Sequence, residues 1–218
     1  RYVDALAIRT FAQQELEEYA HWASVPVINA LTDLEHPCQA LADYLTLQEA
    51  FGGDPADLRG LTLAYVGDGN NVAHSLMLAG ALLGVNVRIG CPQGYAPDGT
   101  VLAQAQRLAS AQGCMVSVVH DPVAAVRGAQ ALYTDVWASM GQEEEKAERE
   151  RAFTGWCLNE ELVAEADPRA IVLHCLPAYR GLEISAGAME GTSSRIFDQA
   201  ENRLHAQQAL LAALLDQP

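Results

Sequence analysis

Short apolar runs, each followed by a stretch with helical periodicity, recur along this chain, and that alternation restricts its fold more than any other feature. Residues 5–8 read as a strand and residues 13–23 as a helix. Residues 25–28 read as a second strand, and Pro37 then opens a helix at a position where its missing N–H costs nothing. That helix carries Leu41, Tyr44 and Leu45 on one face and stops at Gly52-Gly53. Further strands are expected at 61–66, 85–89, 115–119, 131–134 and 171–174. Helices are expected at 72–83 (closed by Gly84), at 100–112 (closed by Gly113), shortly after Asp121-Pro122, and at 199–215. Strands alternating with helices imply parallel βαβ units with right-handed crossovers, hence an α/β fold. In such sheets ligands bind outside the carboxyl ends of the strands. Five segments occupy those positions: Arg9, residues 29–36, residues 67–71, residues 135–140 and residues 174–177.

Composition narrows the partners. The chain has 218 residues, half of them apolar, with 13 Lys and Arg against 28 Asp and Glu, a net charge of −15. A chain of this size buries about 70% of its unfolded surface, so neither disorder nor a disulfide scaffold is needed to explain it. The acidic balance argues against nucleic acid, which needs clustered Lys and Arg, and against anionic membrane surfaces. An anionic substrate must therefore be held by a local group of positive side chains. The five cysteines are scattered and include no C-x-x-C pair, which suits free thiols in a reducing cytoplasm and no zinc site. Apolar stretches break well short of the roughly 20 residues that span a bilayer. The opening Arg1-Tyr2-Val3-Asp4 is not a signal-peptide start. Gly52-Gly53-Asp54-Pro55 is the best linker candidate.

Four constellations could carry chemistry. Gly67-Asp68-Gly69-Asn70-Asn71-Val72 begins like a dinucleotide fingerprint, but Val72 replaces the third glycine and no acidic residue follows at the ribose distance. It is either a tight βα turn or a source of an Asn70 or Asn71 amide for a small polar ligand. His36-Pro37-Cys38-Gln39 places His36 and Gln39 on one face of a helix N-terminus, where a neutral His suits a carbonyl and an amide suits an NH₂ group. The plainer reading is a capping histidine beside a surface Gln. In the segment 135–141, Asp135 could hold an ammonium and Ser139 a carboxylate, or the segment could simply cap a helix over 142–151. The charges of that helix are mostly a solvated face, and Glu145 and Arg149 support it as an i,i+4 pair. His174-Cys175-Leu176-Pro177 ends a strand; adjacent strand residues face opposite ways, so His174 and Cys175 cannot act as a dyad. Cys175 is then either a buried structural thiol or a ligand contact.

Together these segments resemble the aspartate/ornithine carbamoyltransferase family. Residues 36–43 match its H-P-x-Q segment, the 135–141 loop with Ser139-Met140-Gly141 resembles the ornithine-binding loop of the ornithine enzymes, and 174–177 matches their H-C-L-P segment. Residues 67–75 and Glu201-Asn202-Arg203 fit the same pattern. The resemblance implies two doubly wound parallel-sheet domains, the first only partly present. Residues 1–52 would be the rest of a carbamoyl-phosphate-binding domain, 53–195 an ornithine-binding domain, and 196–218 a helix returning to the first. It further implies transfer of a carbamoyl group from carbamoyl phosphate to the δ-amine of L-ornithine, giving L-citrulline in arginine biosynthesis, by a cytoplasmic homotrimer or assembly of trimers. No metal or cofactor is expected. Arg9, His36, Gln39, Cys175, Leu176 and Arg203 would contact carbamoyl phosphate, with Cys175, Arg203 and His36 closest to the chemistry. Asn71, Asp135, Ser139 and Met140 would hold ornithine.

One departure stands out. The family's Ser-x-Arg-Thr-Arg phosphate segment does not occur, which leads us to expect a piece of a longer chain, not competent alone. The rivals are a sister enzyme acting on putrescine, aspartate or an acylated ornithine, and a non-catalytic binding chain on the same fold. A dehydrogenase comes third, with Val72 against it.

Overall fold

The structure is a computed structural model and describes residues 2–138 and 143–216. Its first sheet is a parallel pair, β1 (Leu6–Arg9) and β2 (Val27–Leu31), joined by helix α1 (Gln13–Trp22). The register shifts between Ile8 and Arg9, so Arg9 stands opposite Leu31. β2 begins later than its apolar run, after Pro26, which has no N–H to give a ladder. Helix α2 (Pro37–Phe51) comes next. The chain then turns through Gly52 and Gly53, both at positive φ, into a 3₁₀ turn at Pro55–Leu58, where the side chains of Asp54 and Asp57 cap each other's backbone.

The second sheet holds β3 (Thr62–Val66), β4 (Asn86–Gly90), β5 (Val116–Val119), β6 (Ala131–Thr134) and β7 (Ile171–His174). Their spatial order is β5-β4-β3-β6-β7, and every neighbouring pair is parallel. Sequence order therefore reverses direction between β3 and β6, which makes that gap the switch point of a doubly wound sheet. Helices α3 (Asn71–Leu83) and α4 (Gly99–Gln112) cover one face. The other is covered by α5 (Pro122–Val126), the region after α6 (Lys146–Ala152), α7 (Glu160–Ala164) and α8 (Ala186–Glu190). Strand β3 shows why the run is apolar throughout. Leu63 and Tyr65 point into one core, Ala64 and Val66 into the other, and all four are fully buried. Burying a side chain of Leu or Val size is worth about 1.5–3 kcal/mol.

Caps set the helix limits. Asn70 and Asp98 accept from the first-turn N–H groups of α3 and α4, and Gly84 and Gly113 end those helices in the left-handed region. Helices α7 and α8 and the 3₁₀ turn are not evident in the sequence because each is too short to show a 3.6-residue period. The helix expected at 142–151 resolves differently. Gln142 lies outside the described residues, and a 3₁₀ turn, Glu143–Glu145, leads into α6. The last helix, α9 (Ile196–Leu215), starts earlier than its amphipathic pattern because Ile196 is fully buried against the second core. It lies along α2, with hydrogen bonds from Asn202 to Thr46 and Glu49 and from Arg203 to Gln39. Among the described residues no helix is long and apolar enough to cross a membrane.

Candidate active site

A cleft of about 1030 Å³ opens at the carboxyl ends of β1, β2, β3, β6 and β7. The five segments picked out by the strand-end rule all contribute to it. Arg9, His36, Asn71, Asp135, Cys175 and Leu176 line it directly. Gln39 and Arg203 do not; they stand beside His36, bonded to each other. Ser139 and Met140 lie outside the described residues.

One wall is basic. His36 sits at the N-cap position of α2 but its ring caps nothing, contrary to the plainer reading of this residue. Its backbone N–H donates to Ser75 Oγ at 2.8 Å. The ring is buried, and its Nδ1 has no hydrogen-bond partner among the described residues. Burial, then the charges of Arg203 and Arg9, push the imidazole down to about 4, so it is neutral at physiological pH. Behind it, Arg203 Nη1 donates to Gln39 Oε1 at 2.6 Å, and the buried Nε of Arg203 has no partner among the described residues. Gln39 is no surface residue; it is 2% exposed.

The opposite wall is acidic and closely bonded. Asp135, buried at the end of β6, accepts from Asn70 Nδ2 at 2.8 Å, from its neighbour's N–H (Val136) at 2.8 Å and from the Cys175 thiol at 3.0 Å. Burial around its sulfur, then the Asp135 charge, raises the Cys175 pKa well above the thiol range. Cys175 is therefore a protonated hydrogen-bond donor here, unsuited to act as a thiolate nucleophile. Of the two asparagines, Asn70 caps α3 and binds Asp135, whereas Asn71 donates to Thr32 O at 2.6 Å and ties the second sheet to the first.

His174 and Cys175 engage separate partners. His174 Nδ1 accepts from Leu176 N–H at 2.9 Å, which leaves Nε2 as the donor to Glu183 Oε1 at 3.1 Å. Both ring nitrogens are committed, so although Asp135, His174 and Cys175 lie close together, the ring has no lone pair to offer a cation. The same bonds hold Leu176 at φ 59, a left-handed conformation that costs a leucine about 1–2 kcal/mol. The Leu176–Pro177 peptide bond is cis.

The structure corrects the reading of Arg149. It is 7% exposed and not part of a solvated face. Besides Glu145 Oε2 at 2.9 Å it reaches Asp68 Oδ2 at 2.7 Å and Trp137 O at 3.0 Å, and its guanidinium lies over the Tyr95 ring. Burial pushes the Asp68 carboxyl up while Arg149 opposes that shift. The sequence signal was the i,i+4 spacing to Glu145; the partner 81 positions away had none. The G-x-G start has a local cause as well. A Cβ on Gly69 would fall 2.2 Å from Pro97 N, so glycine is required by the 96–97 backbone crossing the turn.

Residues 59–214 match the family model described as the Asp/Orn binding domain of aspartate/ornithine carbamoyltransferase, and residues 1–49 match its carbamoyl-P binding domain. The ornithine carbamoyltransferase of Parasynechococcus marenigrum (strain WH8102) is 73% identical over 215 residues, which are 99% of this chain and 66% of that protein. This chain thus spans just under two thirds of the length of that relative. The crystal structure of ornithine carbamoyltransferase from Gloeobacter violaceus superposes with a TM-score of 0.90 at 56% identity, covering 98% of this chain and 70% of that one. The enzyme from Pyrococcus furiosus gives 0.92 at 48%, covering 98% and 67%. With both of its units matched, and a cleft built from the strand ends that join them, the chain belongs to the aspartate/ornithine carbamoyltransferase family.

Proposed function

We propose that the protein transfers the carbamoyl group of carbamoyl phosphate to the δ-amine of L-ornithine, releasing L-citrulline and phosphate. The observation that carries this reading is a single cleft with the Arg9 cation and the neutral His36 imidazole on one side and a buried carboxylate, Asp135, on the other. An anionic donor suits the first and an ammonium-bearing acceptor the second. Arg9 and Arg203 bind phosphate oxygens, as guanidinium forks do. Neutral His36 donates to the carbamoyl oxygen, where charge develops as the amine attacks. Gln39 Oε1 accepts from the carbamoyl NH₂, and Leu176 closes against the carbamoyl group. Asp135, Asn71, Ser139 and Met140 hold ornithine, with the Cys175 thiol beside the reacting amine.

The neutral δ-nitrogen attacks the carbamoyl carbon, the C–O bond to phosphate breaks, and the nitrogen's proton leaves with the phosphate. Enclosure in the cleft favours the uncharged amine. In keeping with the family resemblance, the reading places the reaction in arginine biosynthesis, in the cytoplasm, on a homotrimer. The test is a citrulline assay on the protein at its natural full length, offering L-ornithine, putrescine, aspartate and N-acetylornithine in turn. L-ornithine should give the highest kcat/KM; a higher value for putrescine would overturn the assignment.

A further inference from the structure

Behind the basic wall lies a carboxylate that the chemistry above does not use. Asp43 is fully buried where α2, α9, β6 and β7 meet. Its Oδ1 accepts from Gln39 Nε2 at 2.8 Å and from Gln199 Nε2 at 2.6 Å. Gln199 in turn contacts the Tyr133 hydroxyl at 3.2 Å and accepts the His174 N–H at 2.9 Å. Gln39 is thus held between two groups of opposite character. Asp43 Oδ1 accepts from both amides, and the Arg203 guanidinium, bonded to Gln39 Oε1 at 2.6 Å, can only donate. Of the two ways round that an amide can sit, one satisfies both neighbours and the other offends both.

We infer that Asp43 is a positioning residue for substrate choice: by taking the NH₂ end of Gln39, it keeps the amide oxygen as the group offered beside Arg203. The inference rests on the proposed role of Gln39 in carbamoyl recognition. An oxygen in that place accepts from the NH₂ of a carbamoyl group. It rejects a methyl in the same position, because the methyl leaves a buried acceptor unpaired. Asp43 thereby acts on discrimination between carbamoyl phosphate and acetyl phosphate, which differ by NH₂ against CH₃, and leaves phosphate binding alone.

The test measures binding of carbamoyl phosphate, acetyl phosphate and inorganic phosphate by calorimetry at natural full length. Asp43→Leu should lower the carbamoyl-to-acetyl affinity ratio about tenfold, the size of one lost hydrogen bond, while inorganic phosphate stays within about twofold. Should Asp43→Leu fail to fold, Asp43→Ser, whose hydroxyl is too short to reach the amide, carries the same expectation. In a Gln39→Leu background the Asp43 change should have no further effect on the ratio. An equal weakening of all three ligands, or effects that add fully across the two sites, would overturn the proposal. So would a Gln39→Leu variant that loses the ratio while Asp43→Leu keeps it. If Gln39→Leu itself leaves the ratio intact, the assignment of Gln39 fails first, and the role of Asp43 with it.

Discussion

The two walls of the cleft are built to different standards. Around Asp135, most polar atoms pair with one another, Asn70, Cys175, His174, Glu183 and the Asp68–Arg149 pair among them, and the buried Trp137 Nε1 is left without a partner among the described residues. Around His36, buried polar atoms are left without partners among the described residues, the imidazole Nδ1 and the Arg203 Nε among them. The supporting strands differ as well. β6 and β7 are buried at every residue, whereas β1 and β2 form a two-stranded pair in residues 1–49, the part of this chain that matches the carbamoyl-P binding domain. A wall whose donors and acceptors mostly satisfy each other has little binding capacity left over. A wall with unsatisfied donors keeps binding capacity, since each donor's best partner is still to come. The acidic wall is thus braced mainly by bonds within the five-stranded sheet and its loops, and the basic wall by the bonds of α9 to α2.

The sharpest way to break this contrast is to remove the buried cation that braces the acidic wall. Arg149→Met leaves the Asp68 carboxylate enclosed without its partner and should cost about 3–5 kcal/mol in chemical denaturation. Adding Asp68→Asn should recover a large part; a single variant as stable as the parent would show that the wall is not held by this pair. Next comes Asp135→Asn, which keeps the shape and removes the charge. The kcat/KM for ornithine should fall about 100-fold or more, while carbamoyl phosphate affinity changes by less than about threefold. Comparable losses for both ligands would mean that the walls do not act separately.

A smaller effect concerns the basic wall and pH. His36 is depressed to about 4 from an ordinary 6.5, so the folded protein binds fewer protons than the unfolded chain between those values. The stability it contributes is present above about 6.5 and is lost as pH falls toward 4, by about 3–4 kcal/mol at most. Asp43, raised to about 7 by its burial, works the other way: its stability is present below its ordinary range near 4 and lost as pH rises through 7. Denaturant titrations of His36→Gln across this window should show the acid-side decline flattened; an unchanged slope would sink the assignment. The smallest effect lies at the rim. Lys146 and Glu150 are 4.0 Å apart with side chains 60% and 41% exposed, and Glu150→Gln should move stability by less than about 0.5 kcal/mol. A loss comparable to that of Arg149→Met would erase the distinction between braced interior and solvated rim.

Much of this was readable in the chain. Strand runs with both faces buried must be apolar throughout, so β3, β6 and β7 announced themselves, and capping residues such as Asp121, Gly84 and Gly113 marked helix ends by local backbone chemistry alone. The rule that ligands sit at strand carboxyl ends then pointed to the segments that line the cleft. What could not be read were choices between neighbours. Asn70 and Asn71 are the same residue type at adjacent positions, yet one meets Asp135 and the other Thr32. Gln39 resembled a surface amide on a helix face until α9 covered it, and Arg149 a solvated ion-pair partner until the turn after β3 brought Asp68 to it. The order of residues determined periodicity, caps and turns, because those depend on atoms a few bonds apart. Which polar groups are enclosed, and against what, was decided by the tertiary structure, because burial and pairing depend on elements more than 150 positions away, as Asp43 and Gln199 are.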